Sequence, residues 1–147
     1  MMDKACLKTH EEAEIVCAEN GSRLLSIHSA EEQAFLTSFI FNQSKVVDNV
    51  WLGAKFGGKA VEWQDHSEMR FTNWAVGSPK NKAGYCVQMH SDPESVGKWV
   101  DEMCQKDYAV VCEKMAKITY EHLYEIVIDS TMSHAWPLRS MPYFYGR

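Results

Sequence analysis

Val50-Trp-Leu-Gly-Ala-Lys-Phe-Gly-Gly-Lys-Ala-Val-Glu-Trp63 sets the organisation of this 147-residue chain. Its first half, 50–56, is an apolar run of strand length. Gly57-Gly58 supplies turn residues, and 60–63 reads as the returning strand, so the stretch predicts a β-hairpin. Three more short apolar runs follow it, at 85–90, 98–100 and 109–113, and each reads as a strand. Between hairpin and strands, residues 64–84 are rich in Asn, Ser, Gly and Lys but include Phe71, Trp74 and Pro79. A loop this long inside a compact domain is uncommon and tends to be functional.

Upstream the period changes to that of helices. Thr9-His-Glu-Glu12 is a capping box, in which a hydroxyl and a carboxylate three residues on satisfy orphan amides. Ala13, Val16 and Cys17 recur at helical spacing behind it, and Asn20-Gly21 marks the stop. Ser29-Ala-Glu-Glu32 opens a second helix carrying Phe35, Leu36, Phe39 and Ile40. Residues 23–27 read as a short apolar link between the two. Two helices followed by strands predict an α+β domain with a mainly antiparallel sheet.

Residues 115–147 differ. They are net neutral, whereas residues 1–114 carry all of the formal charge of −5. Six of them are aromatic, from Tyr120 to Tyr145, and Pro137 and Pro142 interrupt any pattern. This segment reads as an appended tail, one marginal helix over Tyr120, Leu123, Tyr124 and Val127 followed by a disordered end.

The balance of 46% hydrophobic and 24% charged residues is that of a globular domain. A mildly acidic chain is a poor match for nucleic acid or an anionic membrane, which reward a basic face. No run reaches the ~20 apolar residues of a membrane span, and the N-terminus lacks the apolar core of a secretion signal. Five cysteines, Cys6, Cys17, Cys86, Cys104 and Cys112, form no C-x-x-C pair. Two readings of them stay open: buried reduced thiols, or a disulfide framework with one cysteine left over.

The motifs from Glu11 to Lys114 resemble those of C-type lectin-like domains. Glu11-Glu-Ala-Glu14 with Cys17 is similar to the family's first-helix pattern. Leu25-Ser-Ile-His-Ser29 with Glu31-Glu-Gln33 matches its next signature, and Trp51-Leu-Gly-Ala54 its central one. Glu62-Trp-Gln-Asp65, Phe71-Thr-Asn-Trp74, Cys86-Val87, Lys98-Trp-Val-Asp101, Cys104 and Val111-Cys-Glu-Lys114 complete the series. The resemblance covers about 100 residues. It implies a domain over 1–114 with two helices flanking small antiparallel sheets and a long irregular loop.

It also implies two disulfides, Cys17–Cys112 and Cys86–Cys104. By the chain-entropy model these contribute about 4–5 and roughly 3 kcal/mol. Such bridges persist in oxidising compartments, so the expected location is extracellular, and the missing secretion signal implies an N-terminally truncated sequence. Cys6 is left to stay free or to link a dimer. The family's strand before the first helix is expected to be missing, which would leave 110–113 as an uncovered edge. The sequons at Asn20 and Asn42 fall at predicted helix ends and are glycosylation candidates.

Sugar-binding members hold calcium through an E-P-N or Q-P-D triplet, an acidic residue two before the next cysteine, and a W-N-D triplet. In this chain those positions are Ser78-Pro79-Lys80, Gly84 and Trp99-Val100-Asp101, with Asn81 beside the first triplet. Only Asp101 keeps a carboxylate, whereas calcium wants six to eight oxygens. No calcium is expected at the principal site, although Asp65 or Glu68 could serve elsewhere. Among the tryptophans, which otherwise read as core, Trp74 is the best candidate for a ligand platform. Ligand-loop candidates are therefore Trp74, Ser78, Pro79, Lys80, Asn81 and Asp101.

Nothing in the six histidines, His10, His28, His66, His90, His122 and His134, forms a metal or nucleophile–base pattern. The leading expectation is a non-catalytic recognition module for a protein or glycan, without the usual calcium-dependent sugar site. The alternative is a calcium-dependent lectin with an atypical site.

Overall fold

The structure, a computed structural model, describes residues 7–114. Its elements in order are strand β1 (Leu7–Lys8), helix α1 (His10–Glu19), β2 (Arg23–Leu24), α2 (Ala30–Thr37), β3 (Val50–Phe56), β4 (Val61–Trp63), β5 (Tyr85–Met89), β6 (Trp99–Met103), β7 (Tyr108–Ala109) and β8 (Cys112–Glu113). The main sheet runs β1-β7-β3-β5-β6, with β4 paired to β3. Its pairings are antiparallel except for a parallel contact of Val50 with Ala109. A second ladder joins β2 to β8.

Both helices begin where the sequence places caps. The Thr9 hydroxyl accepts from the Glu12 amide, and the Glu12 carboxylate accepts from the Thr9 amide. At α2 the reciprocal bond shifts by one residue: Ser29 caps Glu32 N–H, while the Glu32 carboxylate takes the amide of His28. Helix α1 stops at Asn20, and Gly21 follows at φ +65°, a left-handed turn that glycine adopts without penalty. Helix α2 runs into a wider turn at Ser38–Gln43, where Ser44 N–H reaches back five residues to the Phe39 carbonyl.

Two features correct the sequence reading. The first strand is present. Leu7 and Lys8 pair with Ala109 and Tyr108, and the Trp51 indole N–H donates to the Lys8 carbonyl at 2.8 Å. Residues 109–113 are not one strand with an open edge. The chain leaves the main sheet after Ala109, and Cys112–Glu113 pairs with Leu24–Arg23, inside the segment expected to be an apolar link. The edge is thus covered twice, by elements too short to show a strand period. The expected tail at 115–147 and Cys6 lie outside the described residues.

The core lies between α2 and one face of β3, β5 and β6. Trp99 is fully buried at its centre, with Trp63, Phe71 and Trp74 edge-on to it at 5.4–5.8 Å. Its indole N–H donates to the Gln33 side chain of α2 at 2.8 Å, so the polar end of the largest core residue is satisfied. Burying each of the surrounding Leu25, Ile27, Leu36 and Leu52 contributes about 1.5–3 kcal/mol. A second cluster behind β3 holds Trp51 and both disulfides, Cys17–Cys112 and Cys86–Cys104, with Cα separations of 5.6 and 5.0 Å. The framework reading of the cysteines holds, with the implied connectivity. Among the described residues, no helix is long and apolar enough to cross a membrane.

Candidate functional site

The loop between β4 and β5 is tied down at several points. Trp99 N–H donates to Asn73 O, and Ala75 N–H to Trp99 O, both at 2.9 Å, so 73–75 runs as a short extension alongside β6. The Asn73 amide reaches Gly97 O at 2.8 Å. This pins Trp74 against Trp99 as part of the core wall. Trp74, the sequence's candidate ligand platform, thus packs against the core while remaining only half-buried. Beyond it Val76 stands fully exposed at the loop tip.

From Ser78 the loop turns back towards β6. The Ser78–Pro79 peptide is cis, and Asn81 sits at φ +54°. Asp101 alternates inward on β6 and is completely buried. Its two carboxylate oxygens accept the Lys80 N–H at 2.7 and 2.8 Å, and the second also accepts the Asn81 N–H at 2.9 Å. The structure therefore brings Pro79, Lys80, Asn81 and Asp101 together, as the motif positions imply. What meets the carboxylate is backbone amide rather than a second carboxylate. A buried charge needs such partners, and charge-assisted bonds of this kind are among the stronger ones. Ser78 is half-buried and makes its backbone bond to Ala75 O at 3.1 Å.

The side chains of this turn point outward. Lys80 Nζ and Lys82 Nζ each lie 5.9 Å from the centroid of the Tyr85 ring. Glu102, next to Asp101 but on the opposite face of β6, pairs with Lys106 at 3.2 Å. Partial burial pushes the Glu102 carboxyl up, but the Lys106 ammonium, the Met103 amide and the charge of Lys80 outweigh it and hold it below the usual range. Sequence reading missed Lys82, Tyr85, Glu102 and Lys106. One signal was available: no Asp or Glu occurs between Glu68 and Asp92, while Arg70, Lys80 and Lys82 do.

The other acidic candidates sit elsewhere. Asp65 belongs to a polar cluster under β2, where it accepts from Ser26 Oγ at 2.8 Å and the Ser67 amide at 2.8 Å and faces Arg23 at 3.5 Å. Burial pushes its carboxyl up, yet these donors outweigh burial and lower it. Glu113 accepts from Arg23 at 2.9 Å and from Ser26 Oγ at 3.1 Å; here burial prevails and raises it. Glu68 pairs with Arg70 at the surface. Beside the cluster is a cleft of about 290 Å³ with Glu14, Arg23, Gln64 and Asp65 on its walls. Among the described residues, no three His, Cys, Asp or Glu side chains converge as metal ligands would. Asn20 and Asn42 are both exposed, although the Asn20 amide donates to Val16 O at 2.9 Å.

Comparison with known proteins places this architecture. Residues 7–114 match the family model described as the lectin C-type domain. A C-type lectin of Micrurus corallinus is 36% identical over 111 residues, covering 71% of this chain and 70% of that one. Human lithostathine superposes with a TM-score of 0.64 at 28% identity, over 72% of this chain and 76% of that one. A calcium-independent type II antifreeze protein gives 0.62 at 27% identity, over 73% and 78%. The fold is the C-type lectin-like fold, and the chain belongs to the C-type lectin domain family.

Proposed function

We propose that the chain is a non-catalytic extracellular recognition module that binds its glycan or protein ligand without the family's principal calcium site. One observation carries the reading: both oxygens of Asp101, the last carboxylate at that site, are taken by the amides of Lys80 and Asn81. A calcium ion would compete with these bonds for a fully buried carboxylate and would find no second carboxylate in exchange. Ser78 offers at most one oxygen, Gly84 offers no side chain, Val100 offers none with a lone pair, and Lys80 is a cation. The donor set does not fit calcium, which needs six to eight oxygens.

A solved relative, the type II antifreeze protein, is described as calcium-independent, which supports a domain of this fold working without the ion. Two disulfides support an oxidising, extracellular setting. Exposure of Asn20 and Asn42 supports their use as glycan acceptors in that setting.

The test is calorimetry with calcium, followed by mannose and galactose in calcium and in chelator. The expected result is no sugar binding that depends on calcium. Millimolar or tighter sugar binding that is abolished by chelator would overturn the reading and favour a calcium-dependent lectin with an atypical site. Asp101→Ala, tested in parallel and checked for folding by circular dichroism, would then locate that site.

A further inference from the structure

We propose that the outer face of the Asp101 turn, built from Lys80, Lys82, Tyr85 and Lys106, is a docking surface for an anionic glycan, a chain bearing sulfate or carboxylate groups. The proposal rests on the calcium-independent reading above and names the ligand class of the same site.

Three observations carry it. First, the charge is concentrated against the trend of the molecule. Residues 1–114 are net acidic, yet the 23 positions between Glu68 and Asp92 contain no carboxylate and include Arg70, Lys80 and Lys82. The fold adds Lys106 from beyond β6, and two carboxylates accompany these lysines, the buried Asp101 beneath the turn and Glu102 beside Lys106. Three exposed ammonium groups against two carboxylates, one of them fully buried, leave a net positive face. A local cationic patch on an acidic domain raises the local concentration of an anionic partner.

Second, the lysines are displayed rather than consumed. Lys80, Lys82 and Lys106 are exposed. Lys80 and Lys82 share a single aromatic ring at 5.9 Å, a contact worth little at the surface and easily exchanged for an anion. Lys106 is exposed where it pairs with the partly buried Glu102, and a single such pair near the surface is weak.

Third, the backbone beneath them is fixed. Asp101 holds the amides of Lys80 and Asn81, and the Cys104 N–H to Gly84 O bond at 3.0 Å, with the Cys86–Cys104 bridge, fastens the other end of the turn. The roots of the lysines are therefore ordered before binding, which reduces the entropic cost of docking. In this arrangement the carboxylate at the family's calcium position supports the backbone from which Lys80 is displayed. The half-buried Tyr85 ring, with two ammonium groups each 5.9 Å from its centroid, suits a sugar ring carrying anionic substituents.

The experiment is surface plasmon resonance of the full chain on immobilised heparin, with unmodified dextran and poly-glutamate surfaces alongside, in chelator and at rising salt. Expected are binding to heparin in chelator, weakening as salt rises, no binding to dextran, and weaker binding to poly-glutamate. Lys80→Ala/Lys82→Ala should lose about fivefold or more in affinity at an unchanged melting temperature, and Lys45→Gln, on the loop that enters β3 at the end opposite Tyr85, should bind like the parent. Absent heparin binding, or binding indifferent to the double variant, overturns the proposal. Tighter binding to poly-glutamate than to heparin overturns the glycan assignment in favour of an acidic polypeptide. Heparin binding that appears only when calcium is restored refutes the calcium-independent reading instead, so the two failures are distinguishable.

Discussion

His10 Nε2 lies 2.8 Å from the carbonyl oxygen of Leu52, tying the first turn of α1 to the centre of β3 across 42 residues. The carbonyl can only accept, so Nε2 carries the hydrogen. Nδ1 then faces the Glu14 carboxylate at 3.5 Å. His10 is buried, edge-on to Trp51 at 5.1 Å. Burial is the main force lowering its affinity for a proton; the bond to Leu52 opposes this, and the charge of Lys55 adds to it.

A pH dependence follows. A histidine whose folded pKa is depressed binds more protons when unfolded, so its stabilisation is present above the unfolded value of about 6.5 and is lost as pH falls below it. Glu14 and Glu113, raised chiefly by burial, act with the opposite sign nearer the carboxylate range. The contribution of His10 is isolated by comparing parent and His10→Gln in urea titrations. The parent should lose more stability than the variant between neutral pH and pH about 5. Parallel curves would exclude His10 as the source.

The two disulfides should differ in weight. Cys17–Cys112 closes an interval of 95 residues and Cys86–Cys104 one of 18. The chain-entropy model assigns about 4–5 kcal/mol to the first and roughly 3 to the second. Paired serine variants, unfolded in guanidinium without reductant, should follow that order. Equal losses would show that strain or residual structure, rather than loop length, sets their worth.

Asp101→Asn tests the support of the lysine turn. The amide keeps one acceptor but places a donor near the Lys80 or Asn81 N–H. The expected cost is about 2–3 kcal/mol, the range for a hydrogen bond to a buried charge. Amide exchange should accelerate at Lys80 and Asn81 before it does elsewhere. Unchanged protection at those two amides would refute the bond pattern.

Gly97→Ala should destabilise by about 1–3 kcal/mol. Gly97 is at φ +83°, and an added Cβ would come within 2.7 Å of Thr37 Oγ1 and 3.1 Å of Gln33 Nε2. Gln33 holds the Trp99 indole, so the change should also alter tryptophan fluorescence. A neutral result would mean that α2 yields more easily than its packing suggests.

The long apolar runs and the capped helices were legible in the sequence because each repeats its period several times. The β3–β4 hairpin, the α1 cap at Thr9 and the stop at Asn20-Gly21 stand where the residues place them. Leu7–Lys8 and Arg23–Leu24 were not legible. A two-residue strand has no period, and its existence depends on partners about 90 to 100 residues away. The site was half legible. Motif positions identify Asp101 and the Pro79 turn, but the occupation of Asp101 by the amides of Lys80 and Asn81 is a backbone contact, and backbone leaves no letter in the sequence. Trp74 shows a related effect: its neighbours Asn73 and Ala75 bond to β6 through main-chain atoms, and its ring lies against Trp99.

The Cys17–Cys112 bridge also decides how the domain bears a pull. Tension applied at Leu7 and Lys114 would pass along α1 to Cys17, cross the sulfur–sulfur bond, and leave through Cys112. The interval of 95 residues that the bridge closes, which holds the tryptophan core, the Asp101 turn and its lysines, lies off that load path. With the bridge oxidised, stretching would peel β1 from β7 and uncoil the start of α1 but leave the lysine face in shape. With the bridge reduced, the same pull would extend the whole domain and erase that face.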